Sequence, residues 1–200
     1  IAQADEPSIA IRQQADMRVE KNNIQPDLFL VVAYGKIMPE NILNMPKLGS
    51  INIHYSLLPK YRGASPVESA ILNGETETGV TIQKMEFKLD SGEILTQEKV
   101  NIFPNEKAPE LRKRLIKIGG ELLVKLLQTP SFLPLIKGEV PKAVGVKQNE
   151  TQATYCQKIK KEDGLVNLEE EPPSILHNKF RAYAHWPRIF FFKNGKRIII

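Results

Sequence analysis

The stretch INIHYSLLPKYRG, residues 51–63, reads as a strand running straight into a loop. Side chains alternate along a strand, so Ile51 and Ile53 share one face and Asn52 and His54 share the other. Two polar groups on one strand face are costly against an apolar core unless they are hydrogen-bonded. The loop that follows is stiffened by Pro59 and closes on Lys60-Tyr61-Arg62-Gly63. Open α/β sheets bind ligands at the carboxyl ends of their strands. A polar pair at such an end therefore points both to a fold class and to a place for chemistry.

Working outward, Leu28 to Ala33 is a continuous apolar run, the pattern of a strand covered on both faces in a parallel α/β sheet. Gly35 ends it, and Pro39 opens a short helix through Leu43. Downstream, Ser65-Pro66-Val67-Glu68 is a helix start, with Ser as N-cap, Pro at the first position and Glu three beyond the cap. Gly74 supplies the stop. Gly79–Phe87 and Glu93–Ile102 are rich in Val, Ile, Thr and Phe and read as strands, joined by the loop Lys88 to Gly92. Leu111, Leu115, Ile118, Leu122 and Leu126 recur at steps of three and four and predict a helix over Pro109–Gln128, with Gly119-Gly120 an unfavourable pair in its middle. Pro7 to Asn23 reads as a polar, weakly amphipathic helix. From Thr129 to about Thr154 the composition turns to Pro, Gly, Lys and polar residues, as in a linker. A second unit follows, with a helix over Ser174–His185 and two strand-like runs about the turn Asn194-Gly195.

Composition narrows the class. The 200 residues carry a net charge of +5, which permits a nucleic-acid partner without requiring one. No run is long enough to span a bilayer, and no secretory leader is visible. The single cysteine, Cys156, excludes an internal disulfide and suits a reducing cytosol. Three scattered histidines offer no metal-ligand spacing, so no metal is expected. The chain starts at Ile1 and stops in KRIII, and the expectation is a piece of a longer protein.

Asn52 and His54 are a pair of hydrogen-bond donors that can hold a carbonyl oxygen as it becomes an oxyanion. A carboxylate nearby could orient the imidazole or take a proton, and Asp90 in the 88–92 loop is the best candidate. Each residue also has a plain reading. His54 can be a strand-end histidine satisfied by backbone, Asn52 a turn former, and Asp90 a turn aspartate before Ser91-Gly92. Spacing alone does not bring Asp90 to the other two.

Taken together, residues 52–95, NIHYSLLPKYRGASPVESAILNGETETGVTIQKMEFKLDSGEIL, resemble the formyltransferase family that uses 10-formyltetrahydrofolate. The pattern pairs Asn-x-His with Ser-Leu-Leu-Pro, a basic-aromatic-Arg-Gly step and a later Leu-Asp-Ser-Gly. The match is dense over Pro26 to Leu95 and continues weakly in ATYCQKIKKEDG and RAYAHWP, which resemble the start of the family's OB-like, tRNA-binding C-terminal domain. There the sequence departs from the pattern, with Ala184-His185 in place of Asn-Pro and Arg188 where Gly is common.

The resemblance implies a Rossmann-like formyltransferase domain over residues 1–135, partial at its N-terminus, a linker over 136–154, and a truncated OB-like domain over 155–200. It implies formyl transfer to the methionine α-amino group of charged initiator Met-tRNA, by a monomer in the cytoplasm or an organelle matrix. Asn52 and His54 would stabilise the tetrahedral oxyanion, and Asp90, through a water, would help remove the amine proton. The folate would lie along Ser56, Leu57, Leu58 and Pro59 and against Tyr34, Gly35 and Ile37. Plain core packing is the rival reading of Leu57-Leu58. Lys60 and Arg62 would meet the tRNA backbone, the rival being a solvated surface pair. The family's first strand should precede Ile1, so the piece alone is expected to be unstable or inactive. Rival functions are formyl transfer to an amino sugar or nucleotide precursor, and a non-catalytic RNA-binding relative. A hydrolase using Ser56 or Ser65 ranks last, because no Gly-x-Ser-x-Gly elbow is present.

Overall fold

The structure, a computed structural model, describes residues 26–34, 38–130 and 145–200. The helix expected over Pro7–Asn23 lies outside the described residues. The chain orders β1 (Phe29–Val32), α1 (Glu40–Leu43), β2 (Ser50–His54), β3 (Arg62–Gly63), α2 (Pro66–Leu72), β4 (Glu77–Lys84), β5 (Ile94–Asn101), α3 (Ala108–Leu127), β6 (Tyr155–Cys156), α4 (Pro173–Ala182), β7 (Phe190–Lys193) and β8 (Lys196–Ile199). Short 3-10 turns occupy Glu150–Gln152 and Lys161–Gly164.

The main sheet runs β1-β2-β4-β5 and is mixed rather than parallel throughout. β1 and β2 are parallel, while β2 meets β4, and β4 meets β5, in antiparallel pairs. The short connection between β4 and β5 dictates the second of these pairs, since parallel neighbours need a crossover of a dozen or more residues. Alternation along β2 is as the sequence predicts. Ile51 and Ile53 sit in the core with Val80, Ile82 and Val100. Asn52 and His54 stand on the other face, opposite Gln83 and Thr81 of β4.

Helix α3 covers the apolar face. Leu111 and Leu115 are fully buried, with Leu122 and Leu126 close behind, each contributing about 2 kcal/mol by leaving water. The glycine pair in its middle has a packing cause. A Cβ on Gly119 would stand 3.1 Å from Ile53 Cγ2, so the helix lies closer to the sheet than an alanine comfortably allows. The start of α2 differs from the expected capping box. Pro66 holds the first turn, but Ser65 makes no side-chain cap bond. Glu68 instead pairs with Arg112 of α3, because its side chain is turned inward between the two helices.

Residues after 145 are built into the same body. β6 pairs in parallel with the two-residue β3. α4 packs on α2, where Asn178 Nδ2 donates to the Leu72 carbonyl at 3.4 Å. Cys156, Val166, Ala182, Tyr183 and Ile189 join the core cluster of the main sheet. The hairpin β7–β8 turns at Asn194 and Gly195, at φ 51° and 74°, the conformation a two-residue type I′ connection requires. Arg188, where the family pattern favours Gly, sits at φ 64°, a left-handed conformation that Gly adopts without strain.

Candidate active site

The sequence left open whether Asp90 reaches Asn52 and His54, and the fold brings the three together. β2 ends at His54, and the loop after β4 folds back over the polar face of the sheet. Asn52 Nδ2 lies 3.5 Å from Asp90 Oδ1, and His54 Nδ1 lies 3.8 Å from Asp90 Oδ2. The His54 and Asp90 side chains are only 6% and 12% exposed, so the cluster is largely shielded from water. His54 Nε2 is 2.8 Å from the Tyr61 carbonyl oxygen. A carbonyl only accepts, so Nε2 carries a proton, and Nδ1 is the nitrogen turned toward Asp90. The backbone bond foreseen in the plain reading of His54 thus exists, and it fixes which nitrogen faces the cluster.

Asp90 is held mainly by other groups. Gly63 N donates to Oδ2 at 2.8 Å, and Gln83 Nε2 donates to Oδ1 at 3.1 Å. Its backbone stands at φ 48°, a region where Asp is among the residues tolerated. Two glycines make the loop geometry possible. A Cβ on Gly63, at φ 121°, would stand 2.2 Å from the Cys156 carbonyl oxygen, and one on Gly92 would stand 1.9 Å from the Lys84 carbonyl oxygen.

The residues expected along the folate divide into two groups. Ser56 is fully buried, and its hydroxyl donates to the Lys60 carbonyl at 2.6 Å. Leu58 is 3% exposed, and its backbone N–H donates to Thr81 Oγ1 at 3.2 Å. Both side chains are enclosed by protein and turned into the loop. Leu57 and Pro59 line a groove of about 510 Å³ together with Lys60 and Tyr61. Tyr34 is half exposed just beyond β1. Gly35 and Ile37 lie outside the described residues.

The two residues expected on tRNA also part company. Lys60 is 55% exposed and pairs with Glu75 Oε1 at 3.2 Å, which leaves its amine accessible. Arg62 is fully buried. Its guanidinium is filled by Gln148 Oε1, at 3.1 Å from Nε and 2.7 Å from Nη2, and by Glu150 Oε1 at 2.7 Å. Its Nε, Nη1 and Nη2 all donate within the protein, so it does not present the solvated cation expected beside the loop. Glu150 also takes Lys88 Nζ at 2.6 Å. Donation from Arg62 and then Lys88 holds the Glu150 carboxyl down at about 2. Burial pushes the Tyr61 phenol up to about 12, so it stays neutral and donates to Glu75 Oε1 at 2.8 Å.

Sequence reading missed Gln83 and Gln148. Alternation along β4, with Val80 and Ile82 inward, marks Gln83 as a partner of Asn52. Nothing local marks Gln148, whose Nε2 donates to the carbonyls of Asp90 and Gly92 at 2.9 and 2.8 Å. Among the described residues no group of three or more His, Cys, Asp or Glu could hold a metal ion, and no helix is long and apolar enough to cross a membrane. A backbone-fixed imidazole, a primary amide and an anchored carboxylate around one point suit acyl transfer, with donors for an oxyanion and an acceptor for a proton.

Comparison with known proteins agrees with this chemistry. Residues 3–127 match the family described as formyl transferase, and residues 158–200 match the formyl transferase C-terminal domain. The chain is 42% identical over 177 residues to a methionyl-tRNA formyltransferase of Caldicellulosiruptor saccharolyticus, covering 88% of this chain and 53% of that protein. It is 39% identical over 202 residues to that of Geobacter sulfurreducens, covering 98% and 61%. The chain thus spans little more than half the length of these curated relatives. Among solved structures, an N-formyltransferase from Helicobacter canadensis in complex with folinic acid and dTDP-3-aminofucose superposes with a TM-score of 0.63 at 26% identity, covering 82% of this chain and 57% of that one. HypX from Aquifex aeolicus in complex with tetrahydrofolic acid shares the fold, with a TM-score of 0.74 at 18% identity, covering 92% and 31%.

Proposed function

Because the chain belongs to the formyl transferase family, we propose that it transfers a formyl group from 10-formyltetrahydrofolate to the methionine α-amino group of charged initiator tRNA. The observation that carries the proposal is the meeting of Asn52, His54 and Asp90 at the carboxyl end of β2. The amine nitrogen attacks the formyl carbon, and the carbonyl oxygen becomes an oxyanion. Asn52 Nδ2 donates to it. In doubly protonated His54 both ring nitrogens are donors. Nε2–H keeps the Tyr61 carbonyl, and Nδ1–H serves the oxyanion, with the Asp90 carboxylate balancing the charge. Asp90, through a water, accepts the proton that the amine loses. The oxyanion then collapses, the bond from formyl carbon to N10 breaks, Asp90 returns the proton through the water to N10, and tetrahydrofolate leaves. Removing one such donor costs on the order of a hundredfold in turnover.

The folate is placed against Tyr34, Leu57 and Pro59, with no metal taking part. Lys60 and the lysines at 158, 160 and 161 form the basic approach for tRNA, so binding should weaken steeply with salt. We retain the division into a catalytic region to residue 135, a connection over 136–154 and an OB-like region from 155, acting as a monomer in the cytoplasm. The test is a competition assay on the intact enzyme, offering charged initiator tRNA and dTDP-3-aminofucose, the acceptor in the Helicobacter canadensis complex. Formylated tRNA is expected, and His54→Ala or Asp90→Ala should remove most of it while the protein still folds. Transfer to the sugar alone, or near-normal turnover in either variant, overturns the proposal.

A further inference from the structure

We infer that Gln148 is a positioning residue for Asp90, acting through Gln83 and held by the buried Arg62; the inference rests on the formyl-transfer reading above. The contacts between Asp90 and the reacting pair are long, 3.5 Å to Asn52 and 3.8 Å to His54. These contacts do not fix the carboxylate, so something else must.

A chain of oriented amides does so. Arg62 can only donate, so the amide atom facing it at 2.7 and 3.1 Å is the Gln148 oxygen. The Gln148 nitrogen then faces three acceptors, the Asp90 carbonyl at 2.9 Å, the Gly92 carbonyl at 2.8 Å and Gln83 Oε1 at 3.1 Å. With its oxygen taken, Gln83 turns its nitrogen to Asp90 Oδ1 at 3.1 Å. An ionised carboxylate only accepts. The orientation of both amides is therefore set from the cation at one end and the anion at the other. Arg62 is 0% and Gln83 1% exposed, so water does not compete for these bonds. Glu150, bonded to both Arg62 and Lys88, fastens the first residue of the 88–92 loop as Gln148 fastens its middle and end. A segment that composition marks as a linker thus reaches into the reaction centre and sets the aim of its carboxylate.

Gln148→Glu tests the relay in the intact enzyme. It keeps the shape and the contact with Arg62 but turns the donating end into an acceptor. We expect a cooperative melt, folate binding by calorimetry within about threefold of the parent, and kcat lower by about 10- to 100-fold with KM changed less than about threefold. Gln83→Met should give a similar loss in kcat. If the two residues act in one chain, the double variant Gln148→Glu/Gln83→Met falls within about threefold of the slower single variant instead of multiplying the losses. A merely structural role would lower the melting temperature and leave kcat of the folded enzyme unchanged. That result, or multiplied losses, overturns the relay while formyl transfer by the parent stands. If Gln148→Glu fails to fold, Gln83→Met carries the same test, and parental kcat in it overturns the relay. Absence of transfer by the unsubstituted enzyme overturns the formyl-transfer reading and this inference with it.

Discussion

Gly63→Ala is a demanding single change for the packing around Asp90, because it joins a steric clash to a left-handed backbone. Gly63 stands at φ 121°, and an added Cβ would lie 2.2 Å from the Cys156 carbonyl oxygen. Backbone in that region costs an L-residue about 1–3 kcal/mol. The obstacle is itself backbone, so relief requires β3 to part from β6. That weakens the bond from Ala64 N to the Cys156 carbonyl at 3.3 Å and the bond from Arg62 N to the Thr154 carbonyl at 2.9 Å, each worth about 1 kcal/mol. The total is about 3–5 kcal/mol, a large share of the roughly 5–15 kcal/mol that holds a typical domain. With a urea slope of about 2 kcal/mol/M, the midpoint should fall by about 2 M. Formyl transfer by the folded fraction should fall too, because Gly63 N also donates to Asp90 Oδ2. A midpoint shift below about 0.5 M would show that the β3–β6 contact yields without cost, and the reasoning would fail.

Gly120→Ala should act in the opposite sense. Its Cβ meets nothing within 4 Å on an exposed turn of α3, so thermal melts should show about 0.5–1 kcal/mol of added stability. Arg188→Gly should stabilise by a similar amount, since the exposed Arg188 sits at φ 64° where an L-residue pays about 1–2 kcal/mol; a lowered melting temperature would contradict this. The Glu150 carboxyl titrates near 2 in the fold against an ordinary 4.5. Its stabilising effect is therefore complete above 4.5 and is lost as pH falls toward 2. Glu150→Gln should be less stable than the parent at pH 7, and urea midpoints should show the gap narrowing at pH 3; an equal gap at both would count against the clasp.

Much of the fold is legible in local pattern. Alternation in INIH puts the isoleucines in the core and the amide and imidazole on the opposite face. Leucine spacing gives α3 to within a residue at each end, and Asn194-Gly195 gives the hairpin. The mixed sheet escaped because an apolar run such as Leu28 to Ala33 says nothing of strand direction, and the cover expected on both its faces is not seen among the described residues, where Val31 is buried but Leu30 is 46% and Val32 43% exposed. Arg62 escaped for a different reason. A basic residue beside a polar cluster reads as surface, and its burial depends on Gln148 and Glu150, 86 and 88 residues later in the chain. Asp90 was a candidate by type, but antiparallel pairing sets the end of β4 beside the start of β2, with Lys84 opposite Ile51, and its approach to His54 comes from the bonds of Gly63, Gln83 and Gln148 that hold the loop back over the strand's polar face.

The hold on Asp90 by a residue 58 positions further on has a consequence for how the molecule is made. Chains emerge from the ribosome N-terminus first. Asn52, His54 and Asp90 have therefore all left the exit tunnel before the glutamine that aims the carboxylate is available. On the inference above, a nascent chain halted before residue 148 would own Asn52, His54 and Asp90 but lack the amide that aims the carboxylate, so full competence arrives late in synthesis.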